Sequence, residues 1–370
     1  MEAFNNTKNS ETTHSNSPFR GLGGSAISLL RRMISIPSFS REEGQCADLI
    51  EKYIEENGYS ASRLKNNVWT IASGFDGSKP TFLLNSHIDT VKPVAGWTLD
   101  PFTPTEKDGK LYGLGSNDAG ASVVALLHTF FLLSQENQPY NLIFSATAEE
   151  EVSGKDGIEL LLKELPKIDF AIVGEPTEMH LAIAEKGLMV LDCIAHGKAG
   201  HSARNEGENA IYKALKDIEW FKEYRFEKIS EFLGEVKMSV TQINAGTQHN
   251  VVPDKCSFVV DIRSNELYSN EEILEEIKKH ISCDAVPRST RLSSSATPIN
   301  HPIIAKAKEI GREIFGSPTL SDQALMPFPT VKIGPGKSAR SHTAYEYIEI
   351  NEIEQGIDVY FQLLNGLDIR

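Results

Sequence analysis

The chain has 370 residues, 40% of them hydrophobic, with a formal charge of -14 and a pI near 5.3. That length suggests two structural units with enough apolar material for a full core. The acidic balance, without any dense Lys/Arg cluster, argues against nucleic acid or an anionic membrane surface as partner.

Residues 1–18 are rich in Asn, Ser and Thr and contain no apolar h-region. They read as a disordered polar tail rather than a signal peptide. From Ser25 the pattern turns helical, with Ile27, Leu29, Leu30, Met33 and Ile34 forming a stripe that ends near Pro37. A second helix follows, with Ser40 as its expected cap and Ala47, Leu49, Ile50 and Ile54 on its inner face. Strand-like segments come at 68–71 and 82–85, and a small-residue apolar helix at 120–133. Further strands at 142–145 and 170–173 flank a helix near 157–163. Short apolar strands alternating with helices predict an α/β unit whose mostly parallel sheet carries helices on both faces.

Near Leu188 the character changes. Strands at 189–195, 236–243 and 256–263 alternate with helices at 208–225 and 270–281, the second capped by Asn270. This β-α-β-β-α order predicts an inserted ferredoxin-like α+β unit at 188–294. The first unit then comprises 19–187 and 295–370. Cys46, Cys193, Cys256 and Cys283 are scattered without a C-x-x-C pair, which argues against a disulfide framework and fits a reducing cytosol. No apolar run approaches the roughly 18 residues of a membrane span. The expected location is cytoplasmic.

Carboxylates and histidines gather at predicted strand ends, where open α/β sheets form their sites. His87 and Asp89 form an H-x-D after an apolar run, Asp118 closes G-S-N-D, and Glu149-Glu150-Glu151 follows another apolar run. Glu175 sits after the strand at 170–173, and His342 after a Gly-Pro-Gly loop. Singly, each has an ordinary reading: a buried histidine beside a capping aspartate, or a solvated charge run. Together they make a mixed N/O ligand set suited to Zn²⁺, Co²⁺ or Mn²⁺, and adjacent acids can divide ligation from proton transfer.

Eight segments then occur in register: S-H-I-D-T, G-x-G-x-x-D, T-A-E-E-E, V-G-E-P-T, G-H-S-A, N-V-V-P-D, D-I-R and S-H-T. From Ser25 to its end the chain resembles the co-catalytic zinc amidohydrolase family of acetylornithine deacetylase, succinyl-diaminopimelate desuccinylase, aminoacylases and carboxypeptidase G. The resemblance implies two divalent metals, zinc first, with His87 and Glu175 on one, Glu151 and His342 on the other, and Asp118 bridging. It implies a metal-bridging water with Glu150 as general acid/base, and Asp89 as the residue orienting His87. In the insert it implies His201 as an oxyanion stabiliser, often serving the partner subunit, with Asn250 and Arg263 binding substrate. The insert would serve as a mobile lid and as the contact of a homodimer, its strands at 189–195 and 256–263 belonging to a sheet whose edge extends across a two-fold axis.

One departure stands out. Where the family usually continues D-x-K-G-G, this chain has Asp118-Ala119-Gly120-Ala121-Ser122, without the lysine. The resemblance makes the substrate an N-acyl amino acid, N-acetylornithine first, within arginine biosynthesis. Succinyl-diaminopimelate desuccinylation and di- or tripeptide cleavage are the alternatives. A non-catalytic binding homologue should have lost a ligand or the base, whereas every expected position is filled.

Overall fold

Strands with an unbroken apolar run, without polar alternation, must be covered on both faces. Thr81–His87 and Asn141–Thr147 are of this kind, and each is buried throughout. The computed structural model describes residues 20–204 and 206–369, so the tail expected at 1–18 lies outside them. In it these two strands pair in parallel at the centre of a nine-stranded sheet. The order across the sheet is Ala61–Leu64, Asn67–Ile71, Asn141–Thr147, Thr81–His87, Phe170–Val173, Thr330–Lys332, Leu181–Glu185 and Ser295–Ala296, with Ile314–Ser317 also on Leu181–Glu185. The centre is parallel, and both edges carry antiparallel pairs, with Ile314–Ser317 parallel to Leu181–Glu185 at one of them.

Period-two alternation divides the core. Phe82, Leu84 and Phe144 pack on one face with helices Ala121–Leu133 and Ile350–Leu364. Leu83, Ile143, Ala171 and Val173 pack on the other with Ile158, Leu161 and Met326. Each fully buried phenylalanine contributes about 1.5–3 kcal/mol relative to exposure. Residues 116–133 are, contrary to the expectation for any segment, long and apolar enough by mean hydropathy to cross a membrane, but 89% of that window is buried inside the fold.

The chain leaves this sheet after Leu181–Glu185 and rejoins it at Ser295–Ala296. Between them lies an antiparallel four-stranded sheet in the order Lys237–Ala245, Lys255–Arg263, Met189–His196, Asp284–Pro287. With helices Ala210–Glu223 and Asn270–His280 this is the ferredoxin-like β-α-β-β-α-β arrangement. Burial alternates along Met189–His196, as in a sheet with one face on a core, here built on Phe221, Phe258, Ile273 and Ile277. Its edges are Lys237–Ala245 and Asp284–Pro287, and Met189–His196 and Lys255–Arg263 lie at its centre.

Two caps differ from expectation. Ser269, not Asn270, caps Asn270–His280, in a reciprocal capping box with Glu272. Asn270 instead donates to the carbonyls of Thr290 and Leu292. The helix Gly44–Glu56 begins after Glu43, and Ser40 is engaged elsewhere.

Candidate metal centre

The sheet delivers the predicted donors to one end. His87 is the last residue of its strand, Glu150 and Glu151 form a short turn just after Asn141–Thr147, and Glu175 lies two residues beyond Phe170–Val173. Gly174 lets that last segment lie close against helix Ala121–Leu133, since a Cβ there would meet Ser122 Cβ at 2.8 Å. Asp118 sits in the turn leading into that helix. His342, in the left-handed region at φ 58°, comes from a loop near the C-terminal helix.

These six side chains converge. His87 Nε2 stands 3.3 Å from Asp118 Oδ1, 3.6 Å from Glu175 Oε1 and 4.0 Å from Glu150 Oε2. On the far side, His342 Nε2 is 3.1 Å from Glu151 Oε1 and 3.6 Å from Asp118 Oδ2. Asp118 therefore turns a different oxygen toward each histidine. Donor atoms of His87, Glu150 and Glu175, and of His87, Asp118 and Glu151, form two groups whose members lie within 4.8 Å of one another.

The tautomer of His87 follows from its partner. Nδ1 lies 2.9 Å from the main-chain oxygen of Asp89, which can only accept. Nδ1 thus carries the hydrogen, and the neutral ring offers the Nε2 lone pair to the cluster. Burial alone would lower the affinity of this ring for a second proton, yet Asp118 and Asp89 together raise it well above the usual value. Burial, reinforced by Glu175, Asp322 and Glu151 against the pull of His87, holds the Glu150 carboxyl well up. Burial and then Asp118 push Glu175 up to about 8. The Glu151 hydrogen bond pushes His342 up to about 9.

Four carboxylates thus crowd two histidines in a sheltered space. Lys332, the one Lys or Arg among the described residues lining the adjoining cleft, is already paired with buried Glu185 at 2.8 Å. Uncompensated buried negative charge is costly, and a mixed N/O donor set is what divalent zinc-type cations take. The residues present fit such ions. The cleft beside them, about 470 Å³, is lined also by the apolar Phe315, Pro318 and Leu320 and by Thr177 and Ser338. That is room for a small organic substrate.

Several supporting contacts went unread in the sequence. The Asp89 carboxylate accepts from the amides of Glu150 and Glu151, at 3.0 and 3.1 Å, and from Ser40 Oγ at 2.7 Å. Asp322 is buried beneath the strand ends, accepting from Asn85 and Thr147 at 2.8 and 2.9 Å. Burial pushes its carboxyl up to about 6. Glu346 accepts three main-chain N–H groups of the Asp118 loop. Only Glu346 left a local trace, four residues after His342; Asp322 has no neighbour in sequence that marks it.

The insert residues lie apart. His201 and Asn250 come together on an exposed two-stranded ladder, where Ser202 N donates to the Asn250 carbonyl at 3.0 Å. The Arg263 guanidinium engages both carboxylate oxygens of Asp261, at 2.9 and 3.1 Å. None of the three lines the cleft beside the cluster.

The sequence profile of Peptidase family M20/M25/M40 matches residues 83–366, a span holding every donor of the cluster. The chain belongs to this family. As a member of Peptidase family M20/M25/M40 it is a metal-dependent hydrolase. It is 26% identical over 374 residues to a succinyl-diaminopimelate desuccinylase of Wolbachia pipientis wMel, with 92% of each chain covered. Its fold matches the aminopeptidase PepT of Bacillus cereus at a TM-score of 0.77, with 18% identity, covering 93% of this chain and 98% of that one. A dinuclear metal-binding M20 peptidase of Bacillus subtilis aligns at a TM-score of 0.71 and 16% identity, covering 94% and 100%.

Proposed function

We propose that this chain hydrolyses the amide bond of a small N-acyl amino acid, with His87, Asp118, Glu151, Glu175 and His342 holding two divalent cations. The carrying observation is Asp118, whose two oxygens face His87 and His342 separately, as a bridging ligand must. Such cations would polarise the scissile carbonyl and make water nucleophilic near neutral pH. The donor set suits zinc, with cobalt or manganese as substitutes.

Glu150 is the proton carrier. Among the described residues no donor hydrogen-bonds its carboxylate, which stands at the cluster 4.0 Å from His87 Nε2. It takes a proton from the attacking water and delivers it to the departing amine nitrogen. Asp89 fixes the turn on which Glu150 rides, through the two amides it holds. His201 supplies the oxyanion contact, and Asn250 and Arg263 bind the substrate, Arg263 at its carboxylate, carried from the insert, which acts as a lid. Its edge strand Lys237–Ala245, with Ile243 exposed, supports a homodimer formed through the insert.

The curated relatives favour a succinyl over an acetyl group, so N-succinyl-diaminopimelate becomes the first substrate and N-acetylornithine the second. Rates on N-succinyl-diaminopimelate, N-acetylornithine, N-acetylcitrulline and a dipeptide, with zinc present, test this. Turnover of the dipeptide alone would replace the deacylase reading with a peptidase one.

A further inference from the structure

The two loops that bring Asp118 and His342 together are separated by more than two hundred residues, yet they are tied to each other by side chains outside the donor set. Glu346 is buried, and among the described residues its carboxylate receives only main-chain donors: Asn117 N and Asp118 N on Oε1, both at 2.9 Å, and Gly115 N on Oε2 at 3.1 Å. The Glu346 carbonyl also accepts from Gly113 N at 3.2 Å. Asn117, fully buried, completes the tie in the opposite direction. Its Oδ1 accepts from Lys337 N at 3.0 Å, and its Nδ2 donates to Lys337 O at 3.1 Å and to Ser341 Oγ at 3.2 Å. Gly336, at φ 90°, makes the approach possible, because a Cβ there would meet Asn117 Oδ1 at 2.3 Å. His342 is thereby held between two fastenings, at 337–341 and at 346, both anchored on the segment that carries Asp118.

We infer that Glu346 and Asn117 are positioning residues which clasp the Asp118 loop to the His342 loop and so build the metal position shared by Asp118, Glu151 and His342. This rests on the two-cation reading above. Neither residue touches the cluster's open side, so their effect runs through the ligands they place. Outer partners of metal ligands usually carry about 10–100-fold in metal affinity or activity.

The variants are Glu346→Gln, which sets an amide N–H against the Gly115 N–H, and Asn117→Asp, which removes both Nδ2 donations. Each is compared with wild type by hydrogen–deuterium exchange of peptides covering 113–120 and 337–346 in chelator-treated protein, and by zinc titration. The clasp predicts that either variant speeds exchange in both segments while the central strands keep their protection. It also predicts that the weaker zinc affinity falls by about tenfold or more and the tighter one by much less, with excess zinc restoring kcat. Exchange confined to the mutated loop, or two zinc affinities at wild-type values, overturns the clasp. A wild-type chain that takes up no zinc overturns the two-cation reading instead, while the exchange comparison still decides the clasp. Should Glu346→Gln not fold, Asn117→Asp carries the same two readouts.

Discussion

Asp89 meets the His87 ring with its main-chain oxygen, 2.9 Å from Nδ1, while its carboxylate lies 3.4 Å from that nitrogen and is taken up by the amides of Glu150 and Glu151. The acid that sequence resemblance assigns to the histidine thus also anchors the turn that carries Glu150 and Glu151. Asp89→Asn leaves the main-chain contact intact and removes one acceptor. It should keep metal content near wild type and lower kcat about 10–100-fold. Metal analysis with steady-state kinetics checks this; loss of metal in the variant would show that the carboxylate holds His87 after all.

Glu150→Gln keeps the shape of the side chain and abolishes its basicity. Both metals should stay bound while the rate falls on the order of 10²–10⁴. Turnover close to wild type would remove Glu150 from the proton-transfer role.

His342→Ala removes the donor 3.1 Å from Glu151. Metal content should fall toward one per chain, with activity regained only partly at high zinc. Two tightly held metals in this variant would show the ligand assignment to be wrong.

In metal-free protein two groups of the cluster titrate in the same direction. Glu175, raised from 4.5 to about 8, and His342, raised from 6.5 to about 9, both bind protons more tightly folded than unfolded. Their stabilisation is complete below the unfolded values and disappears as pH rises through about 8 and 9. The melting temperature of chelator-treated protein should therefore fall between about pH 6.5 and 9. Saturating zinc should flatten that decline, because the cations replace the protons, and zinc uptake at pH 7 should release protons into weakly buffered solution. A melting temperature that rises with pH over this range in the metal-free protein would contradict the proposed crowding of the carboxylates.

Much of the fold was legible because its cues are local. Apolar runs at 82–85 and 142–145 announced strands covered on both faces, and the order of strands and helices at 188–294 announced the ferredoxin-like insert. Cap assignments at Ser40 and Asn270 were less secure, because a polar residue beside a helix has several partners within reach. Ser40 chose Asp89, forty-nine positions away, and Asn270 chose two carbonyls twenty and twenty-two positions on. The edges of the insert sheet were not legible, since strand order depends on pairing rather than on any one strand's composition.

The sequence by itself determined which donors exist and that each would stand at a strand end or in the loop beyond it. Steric limits on the backbone and the burial of apolar side chains act over a few residues, and such rules can be read in one dimension. Only the tertiary structure decided that Asp118 faces two histidines with different oxygens, that Asp89 serves Glu150 as much as His87, and that Glu346 binds the Asp118 loop. Those relations join residues far apart in the chain, and their distances are set by how the sheet and its helices pack, to which no local pattern gives access.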